Sequence, residues 1–311
     1  MYIEYIMNTM NDELCFPITF SIPESKCISL EDLLLLQKTK RTSNLIPGSH
    51  ETYIYNTEEV YYNEYRESYF AITKKKGGWD CLRHYEIIAN GCIPYFENIE
   101  QCPQDTMVLL PKELILQGNQ LYHKNQAIDD LEFIQEWNEI IRKQLCFLQE
   151  HLSCKKMSEY ILQKTNHPLT SRILYLSGNT TPDYLRCLTL IGFKQLLGIH
   201  CHDSPKIPHI YQETPNHYHQ LYGKGMTYTN IIDKELRNDA LDETIEQDLR
   251  DKKYDVIIYG SFHRGTPYYD LISSIYAPNQ LIFMCGEEGH HCDCRKWTSK
   301  GHYAFVREPH S

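Results

Sequence analysis

Apolar and polar positions along the chain follow two periods. Short apolar runs at 15–20, 69–73, 92–96, 172–177, 255–259 and 280–284 have the length and composition of strands. Between them the apolar residues fall three and four apart. The clearest case is 130–152, with Phe133, Trp137, Ile140, Ile141, Leu145, Leu148 and Leu152 on one stripe. Further helices are predicted over 58–68, 157–164, 239–252 (Leu241, Ile245, Leu249) and 267–276 (Tyr268, Leu271, Ile272, Ile275). Asp80 reads as the cap of a helix running to Asn90, with Gly91 as its left-handed stop, and Pro182 opens a helix that stops near Gly192. Residues 38–57, with Pro47-Gly48, read as a loop, and 74–78 as a basic loop.

Strands that alternate with helices predict parallel sheets and an α/β class. The expected architecture is two Rossmann-like domains facing a cleft. Residues 1–130 form the first α/β domain, 131–168 the connecting helices, and 169–311 the second Rossmann-like domain, with His167-Pro168 at the boundary.

Composition narrows the class. The chain has 311 residues, of which 41% are hydrophobic and 23% charged, enough apolar material for a packed core. Apolar runs such as Leu33 to Leu36 are too short to span a bilayer, so no integral membrane association is expected. The first residues show no basic segment leading into an apolar one, which predicts a cytoplasmic protein without a secretory signal. A net charge of −10 argues against a nucleic-acid or anionic-membrane binder, though not against a local basic pocket. The 12 cysteines include no Cys-x-x-Cys pair, and reduced thiols are the expectation.

Ligands of open α/β sheets sit where strands end and helices begin. The loop Lys74-Lys75-Lys76-Gly77-Gly78-Trp79 lies at such a place. It offers three lysines, two glycines for close backbone approach, and the free amides of a helix start. Arg83, Glu86 and Asn90 share one face of that helix, opposite a stripe of Cys81, Leu82, Tyr85, Ile88 and Ala89. A basic group near the helix start suits a diphosphate, and a carboxylate one turn later suits a pair of sugar hydroxyls. The competing reading is a solvated lysine run with a surface Arg/Glu pair.

The segment Lys76-Gly77-Gly78-Trp79-Asp80-Cys81-Leu82-Arg83-His84-Tyr85-Glu86, continuing through Asn90-Gly91-Cys92-Ile93-Pro94-Tyr95-Phe96, resembles the donor-binding segment of exostosin-like GT-B glycosyltransferases. The likeness covers roughly 61–103. It implies transfer of a sugar from a nucleotide-diphosphate sugar to a hydroxyl acceptor, with no required cofactor. It also implies that Glu86 contacts the ribose while Arg83 and Lys74 to Lys76 contact the diphosphate. The resemblance further implies a GT-B-like pair of domains; in most such enzymes this segment lies in the C-terminal domain, whereas here it lies in the first third, so a rearranged domain order is one expectation and a donor-like domain fused to something else is the other. The sequence has no Asp-x-Asp, the motif with which metal-dependent GT-A enzymes hold a cation, which fits metal-independent chemistry.

In the second half, Gly260-Ser261-Phe262-His263-Arg264-Gly265 follows a strand. His263 is a candidate general base and Arg264 a candidate anion ligand, with carbonyl hydrogen bonding at the loop as the alternative. Asp270, one turn on, is a candidate to orient His263. Glu287 or Glu288, in Cys285-Gly286-Glu287-Glu288-Gly289-His290-His291-Cys292-Asp293-Cys294, is a second candidate base. The same stretch is a weaker candidate for zinc, and His200/His202 and His217/His219 are candidates for a metal, with a polar loop as the commoner reading. Gly223-Lys224-Gly225 is too short for a dinucleotide fingerprint.

Overall fold

The computed structural model describes residues 13–124, 126–213, 220–288 and 292–308. Its strands are β1 (Cys15–Pro17), β2 (Lys40–Thr42), β3 (Ser68–Thr73), β4 (Ile93–Phe96), β5 (Ile173–Leu176), β6 (Cys201–Ser204), β7 (Val256–Tyr259), β8 (Leu281–Cys285) and β9 (Tyr303–Val306). They form a six-stranded sheet, ordered β1-β9-β8-β7-β5-β6, and a three-stranded sheet, β2-β3-β4. Every pairing is parallel. The central strands β5, β7 and β8 are buried at every position, as the continuous apolar runs require for a sheet covered on both faces.

The helices are α1 (Leu30–Leu35), α2 (Glu58–Arg66), α3 (Leu82–Ala89), α4 (Lys112–His123), α5 (Leu131–His151), α6 (Cys154–Lys164), α7 (Tyr184–Leu197), α8 (Ile245–Arg250), α9 (Tyr269–Ile275) and α10 (Arg295–Thr298). The stripe expected on α5 is buried from Phe133 to Leu152, and Asp130 caps the helix by accepting the Glu132 amide at 2.8 Å. Among the described residues no helix is long and apolar enough to cross a membrane.

Four details differ from the pattern reading. The 38–57 segment contains a strand, β2, hidden by its charge: Lys40 pairs with Glu64 at 2.9 Å, while Arg41 donates to the Tyr122 and Gln126 carbonyls. Gly192 lies inside α7 rather than ending it; a Cβ there would strike the Cys154 carbonyl of α6, so the glycine serves close helix packing and not a helix stop. Over 239–252 the chain forms a 3-10 turn (Asp239–Glu243) followed by α8, and not one continuous helix. β1, from the expected first domain, pairs with β9 in the six-stranded sheet. The main core is likewise continuous across both halves, running from Phe20, Tyr85 and Phe96 through Trp137 to Leu188, Ile258 and Phe305.

Candidate functional site

A cavity of about 790 Å³ opens between the β2-β3-β4 lobe and α7. Tyr53, Tyr55, Tyr61, Lys76, Arg83 and Glu86 line it from the first half, and Thr181, Tyr184, Tyr222, Lys224 and Met226 from the second. Roughly 300–1,000 Å³ is the usual range for small-molecule pockets.

α3 brings Arg83 and Glu86 to the wall while burying Leu82, Tyr85, Ile88 and Ala89 in the core. Arg83 is 9% exposed, and its Nη1 is buried with no hydrogen-bond partner among the described residues. Its guanidinium carbon lies 5.8 Å from the Tyr53 ring centre, with its charge opposing the upward push that burial gives the Tyr53 hydroxyl. A buried cationic donor left unmade is costly unless something else fills the site.

Glu86 lines the cavity, and its carboxylate also accepts hydrogen bonds from within the protein. Tyr61 donates to its Oε2 at 2.8 Å, and the Thr227 hydroxyl donates to its Oε1. Burial pushes its carboxyl above the usual range, against the opposing pull of Thr227, Tyr61 and Arg83. The carboxylate is therefore engaged by protein hydroxyls at the cavity wall.

The glycine loop is not an open anion cradle. Glu308 Oε2 accepts the Trp79 amide at 3.0 Å and Oε1 accepts the Asp80 amide at 2.8 Å. A Cβ on Gly78 would collide with the Glu308 carboxylate, and one on Gly77 with that of Glu288. Arg307 completes the cluster, donating to the Asp80 carbonyl and to Glu308 Oε1 at 2.8 Å. The chain's own carboxylates thus fill the space against Gly77 and Gly78 where the sequence reading places a diphosphate. Asp80 does not cap α3: it accepts the Phe20 amide and the Tyr85 hydroxyl, both at 2.8 Å, and Cys81 takes the capping position. Of the lysines, Lys76 lines the cavity and Lys75 lies over the Trp79 ring. Lys74 is half-buried and is not among the residues of the wall. Asn90 is fully buried at the far end of α3, accepting from Arg66 and donating to the Glu86 carbonyl, so it terminates the helix and is not among the residues of the cavity wall.

A second cluster sits where β5 and β7 turn into their following helices, with α7 leading away to β6 on one side. This is the switch point at which open α/β sheets hold ligands. Asp183, at the α7 cap, accepts the Arg186 amide, the Ser261 hydroxyl at 2.5 Å and Arg264 Nε at 3.0 Å. Burial pushes its carboxyl up, but these donors and the Arg186 charge outweigh it and hold it below the usual range. His263 Nε2 lies 2.7 Å from Glu287 Oε1 and 3.9 Å from Asp183 Oδ2. Burial holds the imidazole below its ordinary range, opposed by Glu287 and Asp183. Asp270 is exposed on α9 and does not join this group, because Asp183 and Glu287 occupy the carboxylate positions around His263.

Asp183, His263 and Glu287 each bring one ligand atom within 4.8 Å of the others, a spacing that a metal ion could use. Arg264, 3.0 Å from Asp183 and 3.6 Å from Glu287, already supplies positive charge there. The zinc candidates fare differently. Cys285 and Cys292 form a disulfide, which removes both thiols from metal binding and corrects the expectation of reduced cysteines throughout. His202 is buried against Tyr254 and Asp242, while His200 is exposed. His217, His219, Gly289, His290 and His291 lie outside the described residues.

The structure therefore brings Arg83, Glu86 and Lys76 to one cavity and gathers His263, Arg264 and Glu287 beside it. The two groups meet at the start of α7, where Thr181, Pro182 and Tyr184 line the cavity and Asp183 belongs to the cluster. Pattern reading missed Tyr53, Asp183, Tyr222, Thr227, Arg307 and Glu308. Only the Gly223-Lys224-Gly225 turn offered a local signal for any of them. The chain matches no known protein family, no curated protein and no solved structure.

Proposed function

We propose that the chain binds a nucleotide-diphosphate sugar in the interlobe cavity and transfers the sugar to a hydroxyl acceptor, without a required metal. The observation that carries this reading is Arg83, nine-tenths buried at the wall of a ligand-sized cavity with a guanidinium nitrogen that no described residue bonds. An anionic group on the ligand satisfies it. Lys76 and Lys224 add positive charge at the same wall, in a protein whose net charge is −10. The tyrosine faces of the wall suit a base or a sugar ring. In this reading the diphosphate lies along Arg83, Lys76 and Lys224, which stabilise the departing nucleotide as charge builds on it. Glu86 holds the wall together. His263, paired with Glu287, is the candidate base for the acceptor hydroxyl.

One observation favours a second reading, a nucleotide- or carbohydrate-binding protein without transfer activity. His263 and Glu287 contact each other but do not line the cavity. Calorimetry with a panel of nucleotide sugars, on wild type and Arg83→Ala, separates the cases. The expected result is one preferred donor, bound at least about tenfold more weakly by the variant. Absence of heat with every donor in both proteins rejects the site. Binding without hydrolysis or transfer to any acceptor selects the second reading.

A further inference from the structure

Residues 221–230 have an unusual backbone. Gly223, Lys224, Gly225, Thr227 and Asn230 all take positive φ, and Thr227 reaches +77°. A β-branched residue adopts that conformation only when its surroundings hold it there.

The surroundings are split between the two lobes. On the second-lobe side, Tyr228 is fully buried with its ring 5.1 Å from Tyr184 and 5.5 Å from His209, and its hydroxyl donates to the Tyr222 carbonyl. On the first-lobe side, the Thr227 hydroxyl donates to Glu86 and lies 2.6 Å from the Tyr62 hydroxyl, while the Thr227 amide donates to Glu58 at 2.5 Å. Lys224 Nζ reaches the Tyr55 carbonyl at 2.7 Å. Between these fastenings Tyr222, Gly223, Lys224 and Met226 face the cavity. The segment is thus rooted in one lobe, crosses the cavity and fastens to the other.

The geometry points to Thr227 as the positioning residue of a strap that closes the cavity: its hydroxyl, latched to the buried Glu86 carboxylate, holds Tyr222 and Lys224 over the bound ligand. A carboxylate only accepts, so the threonine hydroxyl is the donor, and a side chain of the same shape without it cannot make the latch. The ligand part of this inference rests on the proposed function. The latch itself does not.

Amide hydrogen exchange on the ligand-free full chain tests the latch, with β3 and α7 as internal references. Thr227→Val keeps the shape and loses the hydroxyl, and Thr227→Ser keeps the hydroxyl. Exchange across 221–229 is expected to rise about tenfold in the valine variant and to stay within about twofold of wild type in the serine variant. Wild-type exchange in the valine variant overturns the latch. So does serine behaving as valine, or an equal rise in β3, which marks general destabilisation. Calorimetry with UDP, GDP and ADP then tests positioning. The nucleotide that binds wild type is expected to bind Thr227→Val about tenfold more weakly and Thr227→Ser unchanged. Equal affinity in all three proteins refutes positioning. No binding of any nucleotide to wild type counts against the proposed function, while the exchange data still decide the latch.

Discussion

Glu308 Oε1 accepts the amide of Asp80 at 2.8 Å, although 228 residues of chain separate them. The same carboxylate takes the Trp79 amide, and Arg307 beside it donates to the Asp80 carbonyl. The β3-α3 loop is therefore organised by the far end of the described chain, through a carboxylate where the local sequence suggested a phosphate.

Removing that carboxylate leaves the buried Arg307 with only Glu288, at 3.5 Å, as a carboxylate partner, together with two amides unmade. Glu308→Ala is expected to lose about 3 kcal/mol of stability, measured by urea unfolding. A loss below about 1 kcal/mol would show that water replaces the carboxylate at no great cost.

Arg83 behaves in the opposite way, because its Nη1 has no hydrogen-bond partner among the described residues. Arg83→Met keeps most of the packing against Tyr53 and is expected to stay within about 1 kcal/mol of wild-type stability while weakening nucleotide binding by roughly tenfold or more. A large stability loss with unchanged binding would move Arg83 from the ligand to the scaffold.

Asp80 and His84 give a pH signature. Burial raises Asp80 to about 6, against the opposing pull of Arg307 and two hydrogen bonds. Burial lowers His84 to about 3, and its ring is held between Thr73 Oγ1 and the Trp79 carbonyl. Between their ordinary carboxyl value and about 6, the folded chain holds the extra Asp80 proton, so this contribution falls as pH rises. From the ordinary imidazole value down to about 3, the unfolded chain holds the extra His84 proton, so that contribution rises with pH. The two oppose each other over roughly pH 4–6. Asp80→Asn removes one side, and its stability should then rise with pH more steeply than wild type by up to about 1.4 kcal/mol per pH unit. Urea midpoints at pH 4, 5 and 6 check this, and parallel profiles would refute it.

The Cys285–Cys292 bond closes a short loop beside His263, whose Nδ1 lies 3.8 Å from Cys285 Sγ. Alkylation before and after reduction should reveal two protected thiols by mass spectrometry. Cys292→Ser is expected to cost about 2 kcal/mol at most, because the loop is short. Full alkylation without reductant would show the pair open.

Local chemistry made much of this legible. The stripe from Phe133 to Leu152 predicted a buried helix, and α3 with its Gly91 stop (φ +66°) lies close to where pattern reading put it. The placement of Arg83 and Glu86 on one face also follows from helical spacing. Their partners do not. Thr227 reaches Glu86 across 141 residues, and Glu308 reaches the glycine loop across still more. Periodicity reports which face a residue occupies, but not which distant hydroxyl or carboxylate will satisfy it. Charge misled in the same way at β2, where Lys40 and Arg41 made a strand look like a solvated loop because their neutralising partners lie elsewhere in sequence.

The pairing of β1 with β9 bears on synthesis. β1 leaves the ribosome before β9 and must wait, its edge uncovered, until the chain between them has emerged and Ala304 to Val306 arrive beside Cys15 to Pro17. Closure of the larger sheet is thus a late event of biogenesis, and nascent chains stalled before β9 should depend on chaperones that shield an unpaired edge.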